Sequence, residues 1–187
     1  MWEKISRYYP PWLDIFPLLL LGIVLVYISG KYETLPDLIP THFGPSGTPD
    51  AWSEKSIWSV YGTLIIGSII YISMTLINIF LIILPDDPRK VINISERQKD
   101  LLGPEQLEKI RAFAVRSMVA INYIVVVMIA YLSFSAIKIA LGLSTGLGYL
   151  IWIFFIAIMF ISIYMVIKLI SMTSTSHIKK GKNDNSH

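Results

Sequence analysis

The run IWSVYGTLIIGSIIYISMTLINIFLIIL, Ile57 to Leu84, contains no charged residue and no proline. A helix advances about 1.5 Å per residue, so roughly 20 apolar residues cross the hydrocarbon of a bilayer. This run is longer than that, which predicts a transmembrane helix that tilts or projects beyond the lipid. Three further stretches have the same character: Trp12 to Ile28, Met118 to Leu141 and Tyr149 to Ile170. The first is short and carries Asp14 and Pro17 in its opening turns, after Pro10 and Pro11. Composition agrees, with 54% hydrophobic and only 16% charged residues in 187, against about 25% charged in a soluble domain. The predicted fold class is an all-α membrane protein with four transmembrane helices and a short structured extracytoplasmic loop between the first and second.

The expected organisation is a membrane domain over residues 1–84, with the loop at about 29–56. A cytoplasmic segment at 85–117 runs into the third helix, a helix pair fills 118–170, and a disordered cytoplasmic tail ends the chain at 171–187. Lys4 and Arg7 before an apolar stretch resemble a signal peptide. Glu3, Asp14 and three prolines interrupt that pattern, and no small-x-small pair precedes Lys31, so the segment is expected to be retained. The chain has no cysteine, which excludes disulfide and thiol chemistry. A net charge of +3 calls for no nucleic-acid partner.

Lys and Arg beside spans favour the cytoplasmic face. Arg89, Lys90, Arg97, Lys99, Lys109, Arg111 and Arg116 lie between the second and third spans, and Lys179, Lys180 and Lys182 lie in the tail. The first loop holds only Lys31 and Lys55. An even number of spans then puts both termini in the cytoplasm of a multi-pass plasma-membrane protein. Asn93-Ile94-Ser95 matches a glycosylation sequon, but on this topology it faces the cytoplasm.

Within 85–117, Pro85-Asp86-Asp87-Pro88 ends the second span. Ser95-Glu96-Arg97-Gln98 fits a capping box. Gly103-Pro104 breaks the helix that follows, and a second helix from Glu105 runs into the third span. This segment reads either as a basic connector that holds topology or as a docking surface for a regulatory protein. Inside the spans, Asn78 and Asn122 fall on neighbouring antiparallel helices, where a mutual hydrogen bond is expected. No charge falls at the centre of a span, which weighs against an ion-coupled transporter.

The loop from Leu35 to Lys55 differs from the rest of the chain. Pro40 fixes one φ and biases Ile39 away from helix, predicting an extended strand from Ile39 to Phe43. Gly44-Pro45-Ser46-Gly47 is turn chemistry, with both glycines able to take positive φ. Thr48 followed by Pro49 reads as a helix N-cap and first helical residue, with Asp50 in the first turn. Phe43 and Trp52 suit the membrane interface. His42, Asp50 and Lys55 are expected to converge near it, either as a polar recognition site or as a lock that satisfies the loop's own groups. The candidate ligand-binding residues are thus His42, Asp50, Lys55, Trp52 and Phe43, on a loop framed by Pro36, Pro40, Gly44, Gly47 and Pro49.

The pattern L-P-D-x-I-P-x-H-F-x-x-x-G-x-P-D-x-W-x-x-K, running from Leu35 to Lys55, resembles the signature of an uncharacterised bacterial and archaeal membrane-domain family. That domain also forms the N-terminal part of the immunity membrane protein for the sporulation-delaying toxin. The resemblance spans roughly Trp12 to Leu84 and implies an outward loop between two helices. For the immunity protein it implies toxin protection and sequestration of a repressor at the membrane. This chain has no match to the additional C-terminal immunity domain.

The expected function is a non-enzymatic membrane protein of toxin-immunity or envelope-sensing type. Its partners would be the bilayer, a peptide or envelope ligand outside and a regulatory protein inside. The alternative is a small transporter or a transporter's accessory subunit. A metalloenzyme would have only His42, Asp37, Asp50 and Glu33 as ligands, and zinc sites typically use more nitrogen or sulfur. No metal and no cofactor is expected.

Overall fold

The computed structural model of the chain describes residues 1–174. Four of its helices are long and apolar enough to cross a membrane: Pro11–Thr34, Ile57–Ile83, Glu96–Ala140 and Leu150–Thr173. The protein is therefore a multi-pass membrane protein by the length and composition of its helices. The residues of the expected tail from Ser171 to Thr173 continue the last helix, and the remainder of that tail from residue 175 lies outside the described residues.

The chain opens with a short helix, α1 (Trp2–Ser6). A tight turn at Pro11–Asp14 leads into α2 (Ile15–Lys31), which closes in another tight turn at Tyr32–Thr34. The first span is thus longer than the stretch Trp12–Ile28 read from hydropathy. Pro17 does not shorten it, because it sits in the first turn, where its missing N–H has no helical acceptor to lose. The second span is α3 (Ile57–Ile77), followed by a π-helical stretch, Asn78–Ile83. The Leu84 N–H donates five residues back to the Ile79 carbonyl at 2.9 Å, and Pro85 then ends the helix.

The capping box is present. Ser95 N–H donates to Gln98 Oε1 at 3.2 Å, and Gln98 N–H donates to Ser95 Oγ at 3.3 Å. It starts α4 (Glu96–Ala140), interrupted at Gly103, whose φ of 73° and ψ of 168° separate a short polar helix from the long one that begins at Pro104. α5 (Leu150–Thr173) follows a Gly-rich connection.

Contacts divide the described residues into two compact units. In the first (Met1–Pro11, Met74–Ile121 and the described part from Phe160 on), the core gathers Ile5, Tyr8, Tyr9, Ile83 and Val115. Basic side chains there finish the end of the second span: Lys4 Nζ donates to the Leu84 carbonyl at 2.6 Å and Arg111 to the Pro85 carbonyl at 2.7 Å. Asn78 Nδ2 donates to the Val115 carbonyl at 3.4 Å. Arg89, Lys99 and Lys109 pair with the carboxylates of Glu96, Asp100 and Glu105, so this segment balances much of its own charge.

In the second unit (Trp12–Ser73 and Asn122–Met159), Leu21, Val24 and Ile28 of α2 pack with Val60 and Leu64 of α3 and with Val126 and Ile137 of α4. Gly67 lets α3 approach α4 closely, since a Cβ there would stand 2.3 Å from Ile129 Cγ2. Asn122 Nδ2 donates to the Tyr71 carbonyl at 3.2 Å. Asn78 and Asn122 thus each make a polar contact to the backbone of a neighbouring helix within their own unit. Asp14, at the start of the first span, accepts from the hydroxyls of Tyr71 at 3.0 Å and Tyr123 at 3.1 Å.

Candidate functional site

The loop between the first two spans is a two-stranded antiparallel hairpin, β1 (Leu38–Phe43) and β2 (Pro49–Glu54). The predicted strand is present, and Gly47 takes positive φ (76°) in the turn. The predicted helix at Thr48-Pro49 is not. Pro49 opens a strand opposite Phe43. Proline's fixed φ suits either the first residue of a helix or the first residue of a strand, and cross-strand pairing decides the outcome. The Gly47 N–H donates to the Gly44 carbonyl at 2.8 Å and the Gly44 N–H to the Thr48 carbonyl at 2.9 Å, closing the turn with Pro45 at its second position.

The register pairs Pro40 with Trp52 and His42 with Ala51, and it slips on both sides of His42. Such irregularities re-aim side chains. His42 Nδ1 lies 2.5 Å from Asp50 Oδ1, and both side chains are exposed. A carboxylate offers only acceptors, so Nδ1 is the donor. Gly44 belongs to this pair through space rather than through φ: a Cβ there would stand 3.1 Å from Asp50 Oδ2.

Lys55 does not join His42 and Asp50. Its ammonium donates to the carbonyls of Tyr32 at 3.3 Å and Leu35 at 3.2 Å, and lies 5.2 Å from the centre of the Tyr32 ring. The expected three-way convergence is thus corrected to a His42–Asp50 pair and a lysine held by backbone carbonyls. Lys55 follows the end of β2 and holds the backbone just past α2, where the Tyr32 carbonyl also accepts the Leu35 N–H at 3.2 Å. Leu35 and Ile39 are buried among α2, α3 and α4 residues, which roots the hairpin. Pro36 follows a Leu35 in extended conformation, as a residue before proline prefers. Trp52 is exposed on β2.

Beside the hairpin lies a cleft of about 590 Å³. Pro40, Thr41, His42, Phe43 and Pro45 form one side, and Leu132, Ala136, Leu147, Ile151, Trp152 and Phe155 of α4, α5 and their connection form much of the rest. Phe43 packs against the buried cluster of Ile139, Leu147 and Ile151. The walls are apolar and the His42–Asp50 pair stands at one side. Apolar walls with few polar groups are the usual make-up of a ligand cleft of roughly 300–1,000 Å³.

Reading the sequence missed how the hairpin is held. The Leu147 N–H donates to the Gly47 carbonyl, and the Tyr131 hydroxyl donates to the Leu147 carbonyl. Gly146 permits this approach, because a Cβ there would stand 2.9 Å from the Gly47 oxygen. The one available signal was the glycine pair Gly146 and Gly148 in a short connection, which gives no partner.

A helix pair bearing this hairpin, in a chain with four membrane-length helices, defines the class. Residues 18–67 match the family described as "Domain of unknown function (DUF1648)", a stretch that includes the hairpin and Gly67. No curated protein and no solved structure matches the chain. The match leaves out Leu132, Ala136, Leu147, Ile151, Trp152 and Phe155, so the far walls of the cleft are supplied by sequence beyond it.

Proposed function

We propose that this chain is a non-enzymatic plasma-membrane protein of toxin-immunity or envelope-sensing type, whose hairpin recognises an amphipathic peptide outside the cell. The observation that carries this reading is the exposed His42–Asp50 pair beside an apolar cleft of about 590 Å³. An apolar side chain of the ligand would fill the cleft, and a polar group would bond to His42 Nε2. Trp52 and Phe43 would seat the hairpin at the lipid interface.

The excess of Lys and Arg in residues 85–117 supports an outward hairpin and cytoplasmic termini. On that topology the self-paired charged segment faces the cytoplasm, where it would dock a regulatory protein. The resemblance to the domain of the immunity protein supports the same class, through the hairpin motif alone.

The test is survival of a bacterial host challenged with secreted, membrane-active amphipathic peptides, with variants compared at equal abundance in the membrane. The reading expects the wild-type chain to protect and both His42→Ala and Asp50→Asn to lose protection. Undiminished protection in both variants, or none by the wild type against any peptide, removes it.

A further inference from the structure

A second cleft, of about 690 Å³, lies in the unit that contains α1, and its lining is charged. Three acids (Glu3, Asp86, Glu108) and three bases (Lys4, Arg7, Arg111) line it. Two of the possible pairs are already made. Lys4 Nζ is 2.8 Å from Asp86, and the Arg111 guanidinium bonds to Glu108 while lying 5.4 Å from the centre of the Tyr8 ring. The Tyr8 hydroxyl donates to the other oxygen of Glu108 at 2.5 Å.

Two features are left over. Arg111 is 5% exposed, and its Nε has no hydrogen-bond partner among the described residues. A buried donor without a partner is costly and uncommon. At the rim, Glu3 and Arg7 are exposed residues of opposite sign that do not pair with each other. Next to them Met1 is 76% and Trp2 63% exposed, on a helix too short to be a span. An exposed tryptophan on such a helix belongs at the lipid headgroups.

We propose that this cleft binds the headgroup of a zwitterionic glycerophospholipid with a primary amine. The acidic and basic side chains of the lining balance three against three, whereas a purely anionic headgroup favours an unbalanced Lys/Arg cluster. Guanidinium donors match phosphate oxygens, which assigns the phosphate to Arg7 and Arg111. A primary ammonium has three N–H donors for the carboxylates of Glu3 and Glu108. A quaternary ammonium has none. The apolar surface of Met1 and Trp2 selects a lipid over free phosphate, because only a lipid brings chains to cover it. This inference does not depend on what the hairpin recognises.

The experiment places the purified full-length chain in bilayer nanodiscs with equal amounts of phosphatidylethanolamine, phosphatidylcholine and phosphatidylglycerol. Native mass spectrometry then measures which lipids stay bound. Phosphatidylethanolamine is expected to exceed either competitor by about fivefold, the discrimination one net hydrogen bond provides. Arg7→Gln and Glu3→Gln, both at exposed positions, should bring the ratio to parity with an unchanged melting temperature. Equal retention of all three lipids in the wild type, preference for phosphatidylglycerol, or selectivity that survives both substitutions overturns the proposal. So does stabilisation by inorganic phosphate alone without lipid selectivity, which would assign the cleft to the free anion.

Discussion

The backbone N–H of Leu147 donates a 2.9 Å hydrogen bond to the carbonyl of Gly47, so the hairpin turn is tied to the connection between α4 and α5. The Leu147 carbonyl accepts from Tyr131, and its side chain is buried with Ile139 and Ile151. One residue thereby holds the hairpin against two walls of the apolar cleft. A cleft fixed in advance spares a ligand the cost of ordering it.

Gly146→Val tests that attachment. The new Cβ would meet the Gly47 oxygen at 2.9 Å and its carbon at 3.3 Å, both backbone atoms that yield little. Stability should fall by about 1–3 kcal/mol, the usual cost of overpacking, and hydrogen exchange at the Leu147 amide should accelerate. Gly22→Ala, inside α2 with nothing within 4 Å of the new Cβ, should leave that exchange unchanged and cause no loss of stability, since Ala is the better helix former.

The contact of Gly67 with Ile129 makes a separate prediction for the helices beneath. Gly67→Ala should destabilise by about 1–3 kcal/mol through overpacking. Adding Ile129→Ala should recover part of that loss, because the two positions touch and their effects do not add. Simple additivity in thermal unfolding would mean that the helices do not meet at Gly67.

Lys55 is assigned to structure rather than to recognition. Lys55→Met removes a charged donor from two carbonyls and should cost about 1–3 kcal/mol. Peptide protection per folded molecule should stay at the wild-type level. A folded Lys55→Met chain that protects no better than His42→Ala would restore Lys55 to the binding site.

Burial and the hydrogen bond to Glu108 push the Tyr8 hydroxyl from 10.0 up to about 12. The folded state therefore favours the protonated phenol. The stabilisation is complete below pH 10 and is lost as the pH rises through about 12. At the other end, hydrogen bonding to Lys4 and the charge of Lys4 hold the Asp86 carboxyl below its ordinary 3.8. That contribution is present above 3.8 and is lost as the pH falls through the depressed value. Unfolding of Tyr8→Phe followed against pH should lack the alkaline component and keep the acidic one, and Lys4→Gln should do the reverse.

The spans were legible because lipid imposes a length that a hydropathy pattern reports directly. The Ser95–Gln98 box and the Gly103 break were legible for a related reason: capping and positive φ are local. The π-helical stretch at Asn78 was not, since its sequence looks like any other apolar helix. Thr48-Pro49 misled because its local preferences suit two structures, and the pairing with Phe43 across the turn chose between them. Neighbours in sequence suggested that Lys55 joins His42 and Asp50, but the strand carries it past them to the end of α2. Leu147, a hundred positions along from Gly47, left no trace in the loop's own sequence.

An outward hairpin with an open cleft is the claim on which the recognition account rests, and the absence of native cysteine allows a direct test. Thr41 is exposed and lines the cleft. Thr41→Cys should react with a membrane-impermeant maleimide on intact cells as fast as on permeabilised ones. Labelling only after permeabilisation would put the hairpin inside the cell and contradict the account.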